Sequence, residues 1–405
     1  MTITYVAFCT IFLKEKGHLN MTVWEHHYRL TTAPKAIRAV QSGMRVFMTG
    51  NCSVPKVLLD ALIAYAPEVT DVEIVEVLTV GAERLADPSL EGHLRVNSLF
   101  IAKDVRDAVN ACRADFTPIF LSQIPLLYRT DLPLDVALIQ VSPPDSHGYC
   151  SFGVEVGVTK TAAEVADIVI AEVNRHMPRT LGDSFIHVQD IDYMVPVDYP
   201  LPEFEMSTPS ATQDAIGRHV ASLIEDGSTL QTGIGGIPNA VLDHLGDRQD
   251  LGIHTELFSD GVVDLVDKGV ITNARKSIHT GKMIAGFVLG SKMLYDFVHD
   301  NPIVEFHPTE YVNDPFLISR NDRMVAINSA IEVDLTGQVC ADSIGHYLYS
   351  GVGGQVDFIR GASRSEGGRP IIALPATAKG GTISRIVSQL KPGAGVTTSR
   401  NDVHY

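Results

Sequence analysis

One tryptophan and five cysteines are spread over 405 residues. The cysteines, Cys9, Cys52, Cys112, Cys150 and Cys340, are odd in number, scattered and never spaced C-x-x-C. That is a poor disulfide framework and points to a reducing, cytoplasmic compartment. Fifteen histidines occur without H-x-x-x-H or Cys/His ligand spacing, so no metal is expected. Basic residues are few, 32 against 48 acidic, for a formal charge of −16. Such a deficit argues against nucleic acid and anionic membrane as partners, although a local patch can still meet an anionic small molecule. Long apolar runs are missing too. "TITYVAFCTIFL" near the N-terminus is too short to cross a bilayer, with no basic residues ahead of it and no cleavage site behind it. Met21 follows "KEKGHLN", so residues 1–20 read as a non-native upstream extension.

What is present is ordinary globular composition, 45% hydrophobic and 20% charged. The length suits two domains of about 100–200 residues each. A repeat supports that division. "TGNCSVPKVLLDAL" (49–62) and "TGIGGIPNAVLDHL" (232–245) align without a gap on Thr, Gly, Pro, Leu, Asp and Leu. Each copy follows a short apolar strand and runs into an amphipathic helix. Proline in the first helical turn suits that grammar, because the N–H it lacks would be unpaired there. A Pro-rich acidic stretch, "VPVDYPLPEFEMSTPS" (195–210), separates the copies. The domains expected are 21–200 and 205–405. Further strands are expected at "DVEIVEVLTV", "PIIALPA" and "GAGVTT". The fold class is α/β: two related domains with open, largely parallel sheets.

"LGIHTELFSDG" (251–261) alternates with period two and reads as a strand with His254 and Glu256 on one face, closed by an Asp260-Gly261 turn. A glutamate at a strand end is by itself more often solvated or ion-paired. Two glycine loops flank it in sequence. Gly233, Gly235 and Gly236 stand between a strand and a helix start, where backbone can approach a ligand and N–H groups favour an anion. Gly351, Gly353 and Gly354 repeat the pattern, or form a tight turn and no more. Neither loop is a dinucleotide G-x-G-x-x-G with its acidic residue in place.

Taken in order, "RADFTPIFLSQIP", "SPPDSHGYCSFG", "QTGIGGIPNAV", "LGIHTELFSDGVVDL", "YSGVGGQVDFIRGA" and "IIALPATAKGG" resemble the acetyl-CoA hydrolase/transferase family over residues 28–405. The similarity is greatest to its 4-hydroxybutyrate and butyryl-CoA:acetate CoA-transferases. The resemblance implies two α/β domains of related topology and a glutamate nucleophile that becomes a glutamyl-CoA thioester, at Glu256. It implies coenzyme A contacts at Gly233, Ile234, Gly235, Gly236, Ile237, Ile331 and Gly354. It also implies acyl-CoA and carboxylate substrates and a homo-oligomer, a dimer. An oxyanion donor is expected from Gly353-Gly354. Arg360, Arg364 and Arg369 are candidates for the nucleotide phosphates, or a solvated basic loop. At an ordinary carboxyl pKa of about 4.3, Glu256 would be anionic at neutral pH without a base. Family members run on past "TTSRNDVHY", which leaves open a shortened second domain. An acyl-CoA hydrolase and a non-catalytic CoA-binding fragment are the competing readings.

Overall fold

The computed structural model describes residues 30–402 apart from Val80 and residues 205–207. The expected extension, residues 1–20, lies outside them.

Two all-parallel sheets organise the chain. The first contains β1 (Arg45–Met48), β2 (Val72–Val77), β3 (Leu94–Phe100), β4 (Asp115–Phe116), β5 (Val136–Val141), β6 (Ile168–Asn174) and β7 (Tyr193–Val197). Their spatial order is β4-β3-β2-β1-β5-β6-β7. The second contains β8 (Thr229–Gln231), β9 (Gly252–Phe258), β10 (Met283–Val288), β11 (Val304–Phe306), β12 (Met324–Ser329) and β13 (Arg369–Ala373). Here the order is β11-β10-β9-β8-β12-β13. Position for position, the second sheet repeats the path of the first, and the first adds one strand.

Parallel sheets covered on both faces need continuous apolar strands. Accordingly "VALIQV" of β5 and "MIAGFV" of β10 are buried throughout. The alternation in 251–258 marks a strand as expected, but β9 is a central strand and only Glu256 on it is partly accessible.

Both repeat copies sit where the alignment puts them, one after β1 and one after β8. The first leads into α1 (Lys56–Tyr65). The second follows α2 (Ala211–Ala221) and leads into α3 (Gly236–Asp243). Pro238 is in the first turn of α3, whereas Pro55 is the residue just ahead of α1. Gly235, at φ +117°, lets the second helix begin earlier.

Two local expectations are corrected. Asp260-Gly261 is no turn: it opens a helix, Asp260–Asp267, where an acid in the first turn meets the positive end of the helix dipole. "GAGVTT" is no sheet strand. Thr398 makes a single bridge to Val339, and the Thr397 and Thr398 hydroxyls donate to Gln355 Oε1 at 3.0 and 2.9 Å.

The halves are stitched together. Val156 N–H donates to the Gly286 carbonyl at 3.1 Å, and Val288 N–H to that of Val154 at 3.0 Å. One buried apolar cluster runs from Phe47, Ile139 and Val154 into Leu257, Phe287 and Phe306. No helix of the described residues is long and apolar enough to cross a membrane.

Candidate active site

In an open parallel sheet the chain leaves a crevice where it turns back across its first strand, at the carboxyl ends of the strands. In the second sheet that point lies between β8 and β12. The loop after β8 carries Gly233–Ile237. Ile331 lies two residues past β12. Asn328 Nδ2 donates to Gln231 Oε1 at 3.0 Å and ties the two strand ends together. Gly235, at the N-cap of α3, supplies no side-chain capping bond.

Beside this crevice, β9 presents Glu256. Asn313 Nδ2 donates to Glu256 Oε2 at 3.0 Å. Asn313 follows the four-residue helix α4 (Thr309–Val312). On the other side lies Gly354, which opens helix α5 (Gln355–Arg364). A Cβ at residue 354 would stand 2.0 Å from Glu256 Oε2 and 2.3 Å from Asn313 Nδ2. Only glycine lets the carboxyl and the amide rest on that backbone.

The second glycine loop is seated against the first half of the chain. Leu121 N–H donates to the Gly353 carbonyl at 3.0 Å, and Phe100 packs on Gly351 and Gly353. Gly353 has φ +61°, a left-handed conformation that glycine adopts without strain.

Three carboxyls converge. Burial pushes Glu256 up to about 7. Asn313 opposes that shift and Asp357 adds to it. Burial pushes Asp357 up to about 6, against hydrogen bonds from Ser122 N–H at 3.1 Å and Ser122 Oγ at 2.8 Å. Glu155 is buried in the other half of the chain and accepts from Asn51 Nδ2. Burial raises it to about 8, and the Glu256 charge contributes. The expectation of an ordinary carboxyl at Glu256 is therefore corrected: burial holds its pKa up, at about 7.

His254 shares β9 with Glu256 but is wholly buried. Its Nε2 lies 2.9 Å from the Val312 carbonyl, and its Nδ1 3.3 Å from Asn321 Nδ2. It is a satisfied core histidine that does not reach solvent.

The three arginines do not converge. Arg360 pairs with Asp402 at 2.9 Å, and Arg364 lies over the Phe316 ring. Arg369 begins β13 and pairs with Glu225 at 2.5 Å. The start of a parallel strand is the end of the sheet opposite the glycine loops, so Arg369 is removed from the phosphate candidates.

Among the described residues no group of three or more His, Cys, Asp or Glu is arranged to hold a metal ion.

Sequence reasoning missed Asn51, Glu155, Asn313 and Asp357. Three of them carry a signal. Asn51 is the polar residue opposite Ile234 in the repeat. Glu155 in "FGVEVGV" and Asp357 in "GQVDFI" are single acids inside apolar runs. Asn313 carries none, because its role depends on how α4 packs.

Residues 18–202 match the acetyl-CoA hydrolase/transferase N-terminal domain and residues 290–405 match its C-terminal domain. The 4-hydroxybutyrate coenzyme A transferase of Clostridium kluyveri is 52% identical over 94% of this chain and 90% of that protein. The chain belongs to the acetyl-CoA hydrolase/transferase family. It is a CoA-transferase enzyme, as the names of its similar relatives indicate. Another of these, a succinyl-CoA:acetate/propanoyl-CoA:succinate CoA transferase of Fasciola hepatica, is 46% identical over 90% of this chain and 77% of that protein. The crystal structure of RipA from Yersinia pestis shares the fold with a TM-score of 0.89 at 35% identity, covering 93% of this chain and 88% of that one.

Proposed function

We propose that Glu256 is the nucleophile of a CoA-transferase that moves coenzyme A between short-chain carboxylates by a ping-pong route. One observation carries this reading: the carboxyl of Glu256, on the partly accessible residue of β9, is held by Asn313 against the backbone of Gly354.

Ionised Glu256 attacks the acyl-CoA carbonyl. The C–S bond breaks, leaving a mixed acyl-glutamyl anhydride and CoA thiolate. The thiolate attacks the glutamyl carbonyl, and the first carboxylate departs from glutamyl-CoA. A second carboxylate enters and the two steps run in reverse. The thioester energy is kept throughout, and dividing the exchange lowers each barrier. Each attack makes a tetrahedral oxyanion. A backbone N–H aimed at it contributes roughly 3–4 kcal/mol, and Gly353-Gly354 at the start of α5 are the donors in this reading.

Coenzyme A contacts are assigned to Gly233–Ile237, Ile331 and Gly354. The long cofactor tail then supplies binding energy remote from the reacting bond. The same reading takes residues 21–200 and 205–405 as the two domains and the enzyme as a cytoplasmic homodimer. Its substrates are butyrate, acetate or 4-hydroxybutyrate types.

Product analysis tests it. The protein is incubated with butyryl-CoA or 4-hydroxybutyryl-CoA, with and without excess acetate, and acetyl-CoA is separated from free CoA. Acetate-dependent acetyl-CoA is expected, together with a CoA adduct on Glu256 by mass spectrometry. Free CoA at one rate with or without acetate would mean hydrolysis. Turnover in both Glu256→Gln and Glu256→Asp would remove Glu256 from the mechanism.

A further inference from the structure

Behind Glu256 the structure contains a buried polar layer that no step above uses. Its centre is His254, with both ring nitrogens engaged. Nε2 faces a carbonyl, that of Val312, and so carries the proton. Nδ1 faces the Asn321 amide nitrogen and so accepts. An imidazolium would set N–H against N–H there. Burial, then the Lys276 charge, holds the ring well below its ordinary range, at about 3.

Two contacts of His254, the Val312 carbonyl and the Phe358 ring, lead to the two walls of the nucleophile. Val312 ends α4, and its carbonyl belongs to the set a helix end leaves without an internal partner. The next residue is Asn313, which holds Glu256. A four-residue helix has little stability of its own, so its position depends on such outside ties. On the other side the His254 ring meets the Phe358 ring edge-on at 6.3 Å. Phe358 is one turn along α5 from Gly354, to whose carbonyl its N–H donates at 3.1 Å.

We propose that His254 is a positioning residue: as the neutral Nε2–H tautomer it fixes the Val312 carbonyl and thereby sets the Asn313 amide, and with it Glu256, against Gly354. This rests on the reading of Glu256 as nucleophile. The charged and titratable groups facing the layer are Lys276, His279 and His307 on the His254 side, and Asp357 and Glu155 on the Glu256 side. Lys276 Nζ is spent on the carbonyls of Ile253 and Lys282, each at 2.7 Å.

The test compares His254→Gln, which keeps a donor near the Nε2 position, with His254→Asn, which keeps only the Nδ1 side, and His254→Phe. For each, kcat and KM are measured with butyryl-CoA and acetate from pH 5.5 to 9. Formation of the Glu256–CoA adduct is followed by mass spectrometry with butyryl-CoA and acetyl-CoA, and thermal unfolding is recorded. Losing a hydrogen bond to a charged group predicts a fall in kcat or adduct rate of about 10- to 100-fold in the Asn and Phe variants, with KM for acyl-CoA little changed. Their acid limb should move up by about one unit, because Glu256 loses the amide that favours its charged form. Asn313→Ala should shift the limb equally, and adding His254→Phe to it should change nothing more. His254→Gln should recover most of the rate.

A merely structural histidine would lower the unfolding temperature and leave the acid limb in place, which overturns the proposal. So does an additive double variant. If Phe fails to fold, the Gln and Asn pair decides alone: equal profiles in the two overturn it. Failure of the unmodified protein to form any adduct overturns the nucleophile reading and this one with it. An adduct with unaltered variants overturns only this one.

Discussion

Glu256 Oε2 and the α-carbon of Gly354 are in such close contact that a single methyl group at residue 354 would stand 2.0 Å from the oxygen. The same methyl would press on the Asn313 amide. Gly354→Ala should therefore lower kcat by two orders of magnitude or so, since a misplacement of about 1 Å costs about that much. The stability loss should stay within the roughly 1–3 kcal/mol of a local overpacking. Steady-state kinetics beside urea unfolding would check both parts. Full activity in the Ala variant would show that the carboxyl has room to move.

The pH dependence follows from a nucleophile held up at about 7 by burial, with Asp357 adding to the shift. Only the ionised form attacks, so kcat/KM, which reports the free enzyme, should fall below pH 7 with one proton taken up. An unshifted carboxylate would keep full activity down to about pH 5. The pH profile of adduct formation separates the two.

Glu155 gives a stability prediction of definite sign. Its folded pKa, about 8, lies above the ordinary 4.5. The fold thus favours its protonated form. That contribution is complete below pH 4.5 and is lost as pH rises through 8. Glutamine can still accept from Asn51 and never ionises. The Glu155→Gln protein should therefore gain in melting temperature over the parent as pH rises from 5 to 9, by an increment that grows across the range. Parallel melting curves for the two proteins would count against the shift.

Glu172 gives a further test. Its carboxyl is buried on β6 and accepts from Leu58 N–H at 2.6 Å and from the Tyr199 hydroxyl. Glu172→Ala leaves both donors without a partner, at about 1–3 kcal/mol for each. Urea unfolding should register a loss of about 2–5 kcal/mol. Adduct formation at Glu256, on the other sheet, should persist under conditions where the variant is folded.

Much of the architecture was readable in the repeat. Gly50 and Gly233 each follow a short buried strand, and the residues around them enforce the same turn into a helix. That is why one strand order recurs in both sheets, with β7 added to the first and taking up residues 195–197 of the expected boundary. That Glu256 lies on a strand was readable from the alternation in 251–258, whereas its proposed role came only from the family resemblance, because a lone acid at a strand end is by itself more often solvated or ion-paired. The rest depends on contacts between residues far apart in sequence. Ser122 reaches Asp357 across 235 positions and Asn51 reaches Glu155 across 104. No local pattern encodes such meetings. The carboxyl cluster, and hence the raised pKa of Glu256, could not be read before the halves were docked. Arg369 drops out for a related reason: it is close to Arg360 in sequence, but the turn into β13 carries it to the far end of the sheet.

The Glu172 carboxylate lies at the mouth of α1, bonded to N–H groups of its first turn. Its counterpart strand in the second sheet, β13, reads Arg-Pro-Ile-Ile-Ala and offers no acid. The N–H groups at the start of α1 are thus taken by a carboxyl of the chain itself, whereas the start of α3 has no such side-chain bond. On the reading of Gly233–Ile237 as the coenzyme A loop, the doubled plan leaves one such site open. Titration should find one coenzyme A per polypeptide, never two, however many subunits assemble.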